Sequence, residues 1–373
     1  MSGGTPSRSH IEYWDKGSIP WIKIGNIKGK YVSTSDEYIT QAGLDGSSAK
    51  MLPKGTLLYT IFATLGEVGI LTIEACTNQA IAGISIKHND EISTDFLYYY
   101  LKSKKSYVNK IGRGVAQNNI NMSMLRALEV PVPNIAEQSR IVSVLDSVAS
   151  VVTIRQQQLE KLDELVKARF VEMFGAYPLN PMGWKKGTIR DVVANVRYGS
   201  SRPAVDGGKY PYLRMNNITY GGELDLSDVK RIDVPENELG KCTVRRGDVL
   251  FNRTNSKELV GKTCVYDRDE MMVLAGFVIR VRVNDLILPE FLSAFLNTDF
   301  SKRTLLGMCK AAIGQANINA QEMQNIGIYI PPIELQREFV QFKNQTDKSK
   351  VAVQKSLDEA QLLLDSLMQR YFE

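Results

Sequence analysis

Two kinds of periodicity divide the chain. Apolar residues recur at strict sevens over Leu145, Val152, Leu159, Val166 and Met173, with Val148 and Leu162 on the same stripe. Near the other end Val353, Leu357, Ala360, Leu364, Leu367 and Tyr371 alternate at fours and threes. Stripes this narrow predict long helices that pair as a coiled coil, not helices with a wide core-facing side. The first is expected to start at "NIAE", where Asn134 can cap the helix and Glu137 can reach back to the cap, and to stop at Gly175 shortly before Pro178. A helix of roughly 35 residues spans about 50 Å, so each would be a rigid spacer. Leu145, Val152, Leu159, Leu162 and Val166 on the first, with Leu357, Leu364 and Leu367 on the second, are the expected helix-pairing or subunit-contact residues.

Outside these helices the pattern shortens. "TLLYTI" and "DVLFNR" each follow a Lys/Arg-Gly turn and predict strands, and "ISIKH" and "FVIRVRV" alternate as half-buried strands do. "DFLYYYLKSKKSYVNKI" and "PEFLSAFLNTDFSKRTLL" have helical spacing and length. These segments come in matched pairs. "WIKIGNI" matches "YLRMNNI", "LPKGTLLY" matches "VRRGDVLF", and Val68-Gly69 matches Val260-Gly261. "AGISI" matches "AGFVI", "DFLYYYLKS" matches "EFLSAFLNT", "AQNNIN" matches "GQANIN", and "VPVPNIAEQSRIV" matches "IYIPPIELQREFV". The shared order with a drifting offset indicates duplication with loop insertions. The expected fold class is therefore α+β: two β-rich mixed domains, 1–133 and 177–332, separated by two long helices, 134–176 and 333–373, that pair antiparallel.

Composition narrows the function classes without choosing one. The 43% apolar and 23% charged content is that of a folded globular chain. No apolar run approaches the roughly 20 residues needed to span a bilayer, and "MSGGTPSRSH" lacks the apolar core of a signal peptide, so no membrane partner and a cytoplasmic location are expected. The net charge of +5 permits nucleic acid as a partner without demanding it. Four scattered cysteines form no C-x-x-C pair, and the two histidines, His10 and His88, have no ligand-spaced neighbour, so no metal site is expected.

Motifs that suggest catalysis fail on inspection. "GKT" at Gly261 has Ser256 where a phosphate-cradling loop needs glycine, and "GRGVAQ" lacks the third glycine of a dinucleotide fingerprint. "NPMGW" lacks the second proline and the aromatic residue of an amino-methyltransferase motif. Asp248 and Glu258 have no partner at nuclease spacing.

The remaining candidates are loops that combine cations, small residues and amides. Asn and Gln can pair bidentately with adenine, Arg and Lys can read guanine or hold phosphate, and Ser and Thr serve either purpose. In the first repeat these are Thr5, Ser7, Arg8, Lys23, Asn26, Lys28, Arg113, Gln117, Asn118 and Asn119. In the second they are Ser201, Arg202, Arg214, Asn216, Asn217, Arg253, Asn255, Lys257, Lys310, Gln315 and Asn317. The competing reading is that the amides cap turns and helix ends.

The order "SGGTPS…IPWIKIGNI", "KGTLLYT…LGEVGI", "DFLYYYL", "GVAQNNIN", "VPVPNIAEQSRIV" and a long helix, then the same again, resembles the specificity subunit of type I restriction-modification systems over essentially the whole chain. Gln138 and Gln336 stand in equivalent places before the helices, although the second copy has "ELQ" where the first has "EQ". The resemblance implies two target recognition domains, each reading half of a bipartite double-stranded DNA sequence, and an asymmetric site because the loops differ. It also implies a non-catalytic subunit without a cofactor of its own. Two adenine-N6 methyltransferase subunits using S-adenosylmethionine would dock on it, and restriction subunits using ATP and Mg would be recruited. An assembly adaptor that binds proteins through its repeats and helices, without reading DNA, is the alternative. One departure stands out: the second repeat opens with "GWKKGTIRDVVAN" ahead of "VRYGSSRP", whereas the first begins at the counterpart of the latter. Either the chain starts downstream of the true start, or its C-terminal part substitutes for the missing segment.

Overall fold

The computed structural model describes residues 3–88, 90–112, 119–309 and 316–372. The chain forms two compact units, residues 1–156 with 355–373 and residues 157–354. Each unit therefore holds one β-rich domain and a part of each long helix.

The first unit contains β1 (Ile19–Ile22), β2 (Tyr31–Val32), β3 (Tyr38–Ile39), α1 (Gln41–Asp45), β4 (Leu57–Thr60), β5 (Val68–Leu71), β6 (Cys76–Thr77), β7 (Ile81–Ile84), α2 (Thr94–Ser103), α3 (Lys105–Gly112), α4 (Met122–Arg126) and the first part of α5 (Ile135–Phe174). One sheet has the order β2-β5-β4-β7 and the other β3-β1-β6, with β6 parallel to β1. The second unit contains β8 (Lys185–Thr188), β9 (Val193–Tyr198), β10 (Tyr210–Leu213), β11 (Lys230–Ile232), α6 (Glu236–Cys242), β12 (Thr243–Val244), β13 (Val249–Asn252), β14 (Thr254–Asn255), β15 (Thr263–Val265), β16 (Met272–Leu274) and β17 (Val278–Val283). It continues through α7 (Pro289–Leu296), α8 (Asp299–Met308), β18 (Ala316–Asn317), α9 (Ala320–Gln324), β19 (Gly327–Ile330) and α10 (Ile333–Phe372), whose last part belongs to the first unit. Its sheets are β15-β13-β17-β9 and β11-β10-β16-β12, with the pairs β14-β18 and β19-β8.

Strand register aligns the repeats and corrects two of the sequence matches. Ala82 lies opposite Tyr59 as Ile279 lies opposite Phe251, so Ala82 corresponds to Ile279 and the "AG" of "AGFVI" falls in the preceding turn. The predicted strand "ISIKH" accordingly lies too late, since β7 ends at Ile84. Gly66 and Gly261 both take left-handed φ, +81° and +79°, and each donates to the end of the central strand, at Thr60 and Asn252. Gly261 therefore corresponds to Gly66, not to Gly69. Both dipeptide matches were coincidences that backbone hydrogen bonding exposes. Each long helical segment also proves to be two helices, broken at Lys104 in the first unit and at Asn297-Thr298 in the second, where the Thr298 hydroxyl caps the new helix by accepting from Ser301 N.

The leading segment of the second repeat forms β8 and β9, which pair with β19 and β17. Among the described residues the first unit has no counterpart of β9 in the sheet containing β7.

The spacer helices obey their stripes. Asn134 Oδ1 accepts from Glu137 N at 2.9 Å, a cap. Glu137 does not return to it; its carboxylate instead grips Arg140 at 2.6 and 2.8 Å. Gly175 ends the helix at φ +81°. In the second unit Phe170 meets Phe339, Arg169 lies over Phe342, and Asp163 pairs with Lys350. Positions that descend along α5 face positions that ascend along α10, so the pair is antiparallel. Leu145, Val152 and Leu364 are buried in the first unit's core, while Leu159, Leu162, Val166, Leu357 and Leu367 are half-buried.

A phenylalanine at each helix end completes a core. In the first unit Phe372 packs edge-on against Phe96 at 5.3 Å, and in the second Phe174 packs edge-on against Phe291 at 4.9 Å. Burying such a ring contributes about 1.5–3 kcal/mol. Gln138 and Gln336, both fully buried, act as matched clasps: each side-chain oxygen accepts from a backbone N–H ahead of a domain helix, Ser93 or Leu288, at 2.8 Å. Their amide groups donate to Glu91 O and Pro133 O in one copy and to Leu286 O and Pro331 O in the other.

Candidate nucleic-acid interface

The paired amide runs sit at equivalent strand edges. Ile120 N donates to Ile61 O in the first unit, and Ile318 N donates to Arg253 O in the second. This sets Asn119 opposite Phe62 and Asn317 opposite Thr254. The last amide of each run caps a helix: Asn121 Oδ1 accepts from Met124 N, and Asn319 Oδ1 accepts from Gln321 N and Glu322 N. The amide runs thus divide. The last position is structural, while Asn317 is exposed and Asn119 half-exposed at the edge. Arg113, Gln117, Asn118, Lys310 and Gln315 lie outside the described residues.

In the second unit the edge gathers several candidates. Arg253 N donates to Phe277 O, its guanidinium reaches Gly276 O at 3.4 Å and lies 5.0 Å from the Tyr198 ring, and Gly276 N donates to Ser200 O. Asn255 follows on β14, with Ser201 and Arg202 beside Ser200, and Lys257 is exposed in the next turn. Tyr198 accepts from Ala320 N at 2.9 Å. Exposed Phe277 and Tyr198 add flat apolar surface that residue type did not announce. In the first unit the corresponding edge carries Thr5, whose hydroxyl donates to Gln79, together with Asn119 and the exposed ring of Phe62. Gln79 and Phe62 were missed too. A single sequence does not say which face of a short strand is solvated, which decides Phe62, or which turn lies beside that edge, which decides Gln79.

Other candidates belong to a different turn in each unit, after β1 and after β10. Here one expectation, Asn217, is corrected, while Asn26 keeps a half-exposed side chain whose amide nitrogen takes no part in the turn bond. Asn217 is 2% exposed; its oxygen accepts from Arg214 N, and its amide donates to Asp225 O and Asp228 O, so nothing remains for a base. Asn26 makes the matching bond from Lys23 N at 2.8 Å, closing the same turn. Neighbouring Lys28 and Asn216 are exposed.

Among the described residues four of the candidate cations, Arg8, Lys23, Arg202 and Arg214, are held by carboxylates. Arg8 and Lys23 converge on Glu37, whose carboxyl is held below the usual range mainly by the Lys23 hydrogen bond. Arg8 also stacks over Trp14 at 3.6 Å. Arg202 forms a fork with Glu238 at 2.8 and 3.1 Å, which raises its pKa, and Arg214 pairs with Asp228 at 2.8 Å. Ser7 contacts Ser9. Exposed pairs of this kind are weak and exchangeable, so a phosphate can replace the carboxylate.

The residues set aside as catalytic decoys are structural. Asp248 is 1% exposed and is forked by Arg282 at 2.7 and 3.1 Å. Lys262 of "GKT" is buried and donates to Met215 O, with burial lowering its pKa. Among the described residues no helix is long and apolar enough to cross a membrane.

Two copies of one β-rich domain, each displaying polar side chains and aromatic rings at the same strand edge and each attached to paired spacer helices, define a duplicated recognition protein. A family model described as Type I restriction modification DNA specificity domain matches residues 1–164 and 181–360, and the chain belongs to that family. Its role is DNA sequence specificity, and specificity subunits are generally non-catalytic. It is 22% identical over 381 residues to the type I restriction enzyme EcoKI specificity subunit of Escherichia coli, covering 96% of this chain and 82% of the relative. It is 29% identical over 250 residues to the MjaIX specificity subunit of Methanocaldococcus jannaschii, covering 61% and 57%. The fold is shared with the S subunit of a type I restriction-modification system from M. genitalium (TM-score 0.50, 15% identity, 100% and 93% covered). It is also shared with a chain from a structure concerned with complex assembly and conformational transition of the type I R-M system (TM-score 0.57, 17% identity, 100% and 94% covered).

Proposed function

We propose that each unit reads one half of a bipartite, asymmetric DNA sequence and that the paired helices set the distance between the halves. The observation that carries this reading is the equivalence of the two strand edges: the same backbone bonds from Ile120 and Ile318 hold different side chains in place. Phe62, Thr5 and Gln79 stand in one copy, and Asn317, Arg253 and Phe277 in the other. A common scaffold with dissimilar edge chemistry suits two different half-sites.

The chain would itself be non-catalytic and hold no cofactor. Specificity subunits of type I systems assemble with methyltransferase and restriction subunits, and this chain would dock two of the former, which supply S-adenosylmethionine chemistry to adenine N6. The latter would bring ATP and Mg. Mapping methylated adenines in random-sequence DNA exposed to the assembled complex tests the proposal: a split, non-palindromic motif is expected, with binding that weakens steeply with salt. Methylation by the isolated chain with S-adenosylmethionine would overturn the non-catalytic assignment, and salt-insensitive binding without sequence preference would favour a protein adaptor.

A further inference from the structure

The second unit contains a cationic cavity of about 540 Å³ between α8, the last part of α5, the first part of α10 and the turn 220–223. It adjoins an aromatic pocket of about 220 Å³, with Lys167, Phe170, Thr298, Asp299 and Arg303 lining both. Several charges around it are matched: Lys350 pairs with Asp163 and with Glu223 at 3.2 Å, and Lys343 pairs with Asp347. Lys167, Lys302 and Arg303 are different. Among the described residues none of the three has a carboxylate at ion-pair distance, although Asp299 stands one helical turn before Arg303. Among the described residues the one hydrogen bond of Lys302 Nζ goes to a backbone carbonyl, Gly261 O, at 2.9 Å. Burial, with Lys167 and Lys262 nearby, pushes its pKa down to about 8.

The first unit shows how this position is otherwise neutralised. Strand register places Glu67 where the second unit has Lys262, and Glu67 pairs with Lys105 at 2.5 Å. The second unit has a base in place of that acid, so among the described residues this position carries more positive charge in the second copy than in the first. At its rim Tyr220 is 59% exposed, with Lys302 Nζ 5.7 Å from the ring centre.

We propose that this cavity binds a small phosphorylated ligand with a planar ring, of the nucleoside monophosphate class: Lys167, Lys302 and Arg303 hold the phosphoryl oxygens, and Tyr220 stacks on the ring. A phosphoryl dianion can engage the partly buried Lys302 together with the exposed Lys167 and Arg303, adding to the single negative charge that Asp299 places on the same wall. The volume exceeds that of one inorganic ion, and an exposed aromatic face at the rim takes a base without demanding its identity.

The full chain tests this directly. Amine acylation at Lys302, followed by mass spectrometry, should be suppressed by AMP and, at higher concentration, by inorganic phosphate. By calorimetry Lys302→Met and Lys167→Met should weaken AMP at least tenfold, Lys302→Arg should retain it, and Tyr220→Ala should weaken AMP while leaving inorganic phosphate unchanged. Protection by neither ligand, protection by duplex DNA alone, or full AMP affinity in Lys302→Met overturns the site. Equal protection by phosphate and AMP overturns the nucleotide assignment. The acylation arm uses the unaltered protein, so a variant that fails to fold does not block the test.

Discussion

Each unit attaches its β-rich domain to the long helices in two ways, one identical in both copies and one reversed. The identical attachment is a buried glutamine, Gln138 or Gln336, accepting one backbone N–H and donating to two carbonyls. The reversed one is ionic. In the first unit a domain lysine, Lys30, reaches Asp146 on α5 at 2.6 Å and Asp95 at 2.8 Å; in the second a helix lysine, Lys350 on α10, reaches Glu223 in the domain. Burial opposes charge on both lysines, yet the hydrogen bonds to carboxylates prevail and the pKa values of Lys30 and Lys350 rise. Polarity is free to invert because only the pairing matters, whereas the glutamine is irreplaceable: no other uncharged side chain of that length both donates twice and accepts. Duplication has kept what geometry dictates and let charge drift.

The helix-end phenylalanines put the largest strain on this equivalence. Phe174 packs against three rings, Phe170, Phe291 and Phe339, whereas Phe372 packs against two, Phe96 and Tyr100. Phe174→Ala should cost about 3–5 kcal/mol and Phe372→Ala measurably less, as truncated core rings do. Denaturant titration of both variants decides it; an equal or larger loss for Phe372→Ala would mean that the number of packed rings does not set the cost. The glutamine clasps come next. Gln138→Leu and Gln336→Leu each leave one N–H and two carbonyls unpaired, at about 2–3 kcal/mol. Calorimetry should show nearly equal destabilisation, and a twofold disparity would break the match.

Much of this frame was legible in the residues. Heptads at Leu145 and Val152 announced the helices, and the twin "VP" and "PP" segments announced the duplication. The strand equivalences were less accessible. "AG" at Ala82 and at Ala275 looks identical, but the register is written in backbone pairing to Tyr59 and Phe251, distant in sequence. The breaks at Lys104 and Asn297 also escaped, because apolar spacing continues through them. At the candidate site residue type singled out Arg253 and Asn317 but could not separate Asn216, which is exposed, from Asn217, which is buried; adjacent asparagines differ only in which carbonyls surround them. Phe277 and Phe62 were invisible for a related reason, since exposure of an apolar residue has no signature in its own identity.

Edge substitutions address function at smaller scale. Asn317→Ala and Arg253→Ala should relax recognition in one half-site, and Asn119→Ala in the other, by about 1–3 kcal/mol of base discrimination where the contact is bidentate. Gln117→Ala and Gln315→Ala are expected to sort the same way. Sequencing of methylated sites from each assembled variant gives the answer. Loss spread equally over both halves would assign these side chains to scaffold, as already holds for Asn121 and Asn319.

The weakest expected effect tests the charge drift itself. Glu37 holds Arg8 and Lys23 in the first unit, and Glu238 holds Arg202 in the second. If these carboxylates compete with DNA phosphate, Glu37→Gln and Glu238→Gln should strengthen binding to random-sequence duplex by a factor of a few. The logarithmic salt slope should steepen by about 0.9 for each additional phosphate that a released cation neutralises. Glu37 restrains two cations and Glu238 one, so the first variant should change the slope more. Half-site preference should stay as it was, because phosphate contacts carry no base information. A change in preference without a change in slope would place Arg8, Lys23 or Arg202 on base edges, and the two units would then differ in how they read DNA as well as in what they read.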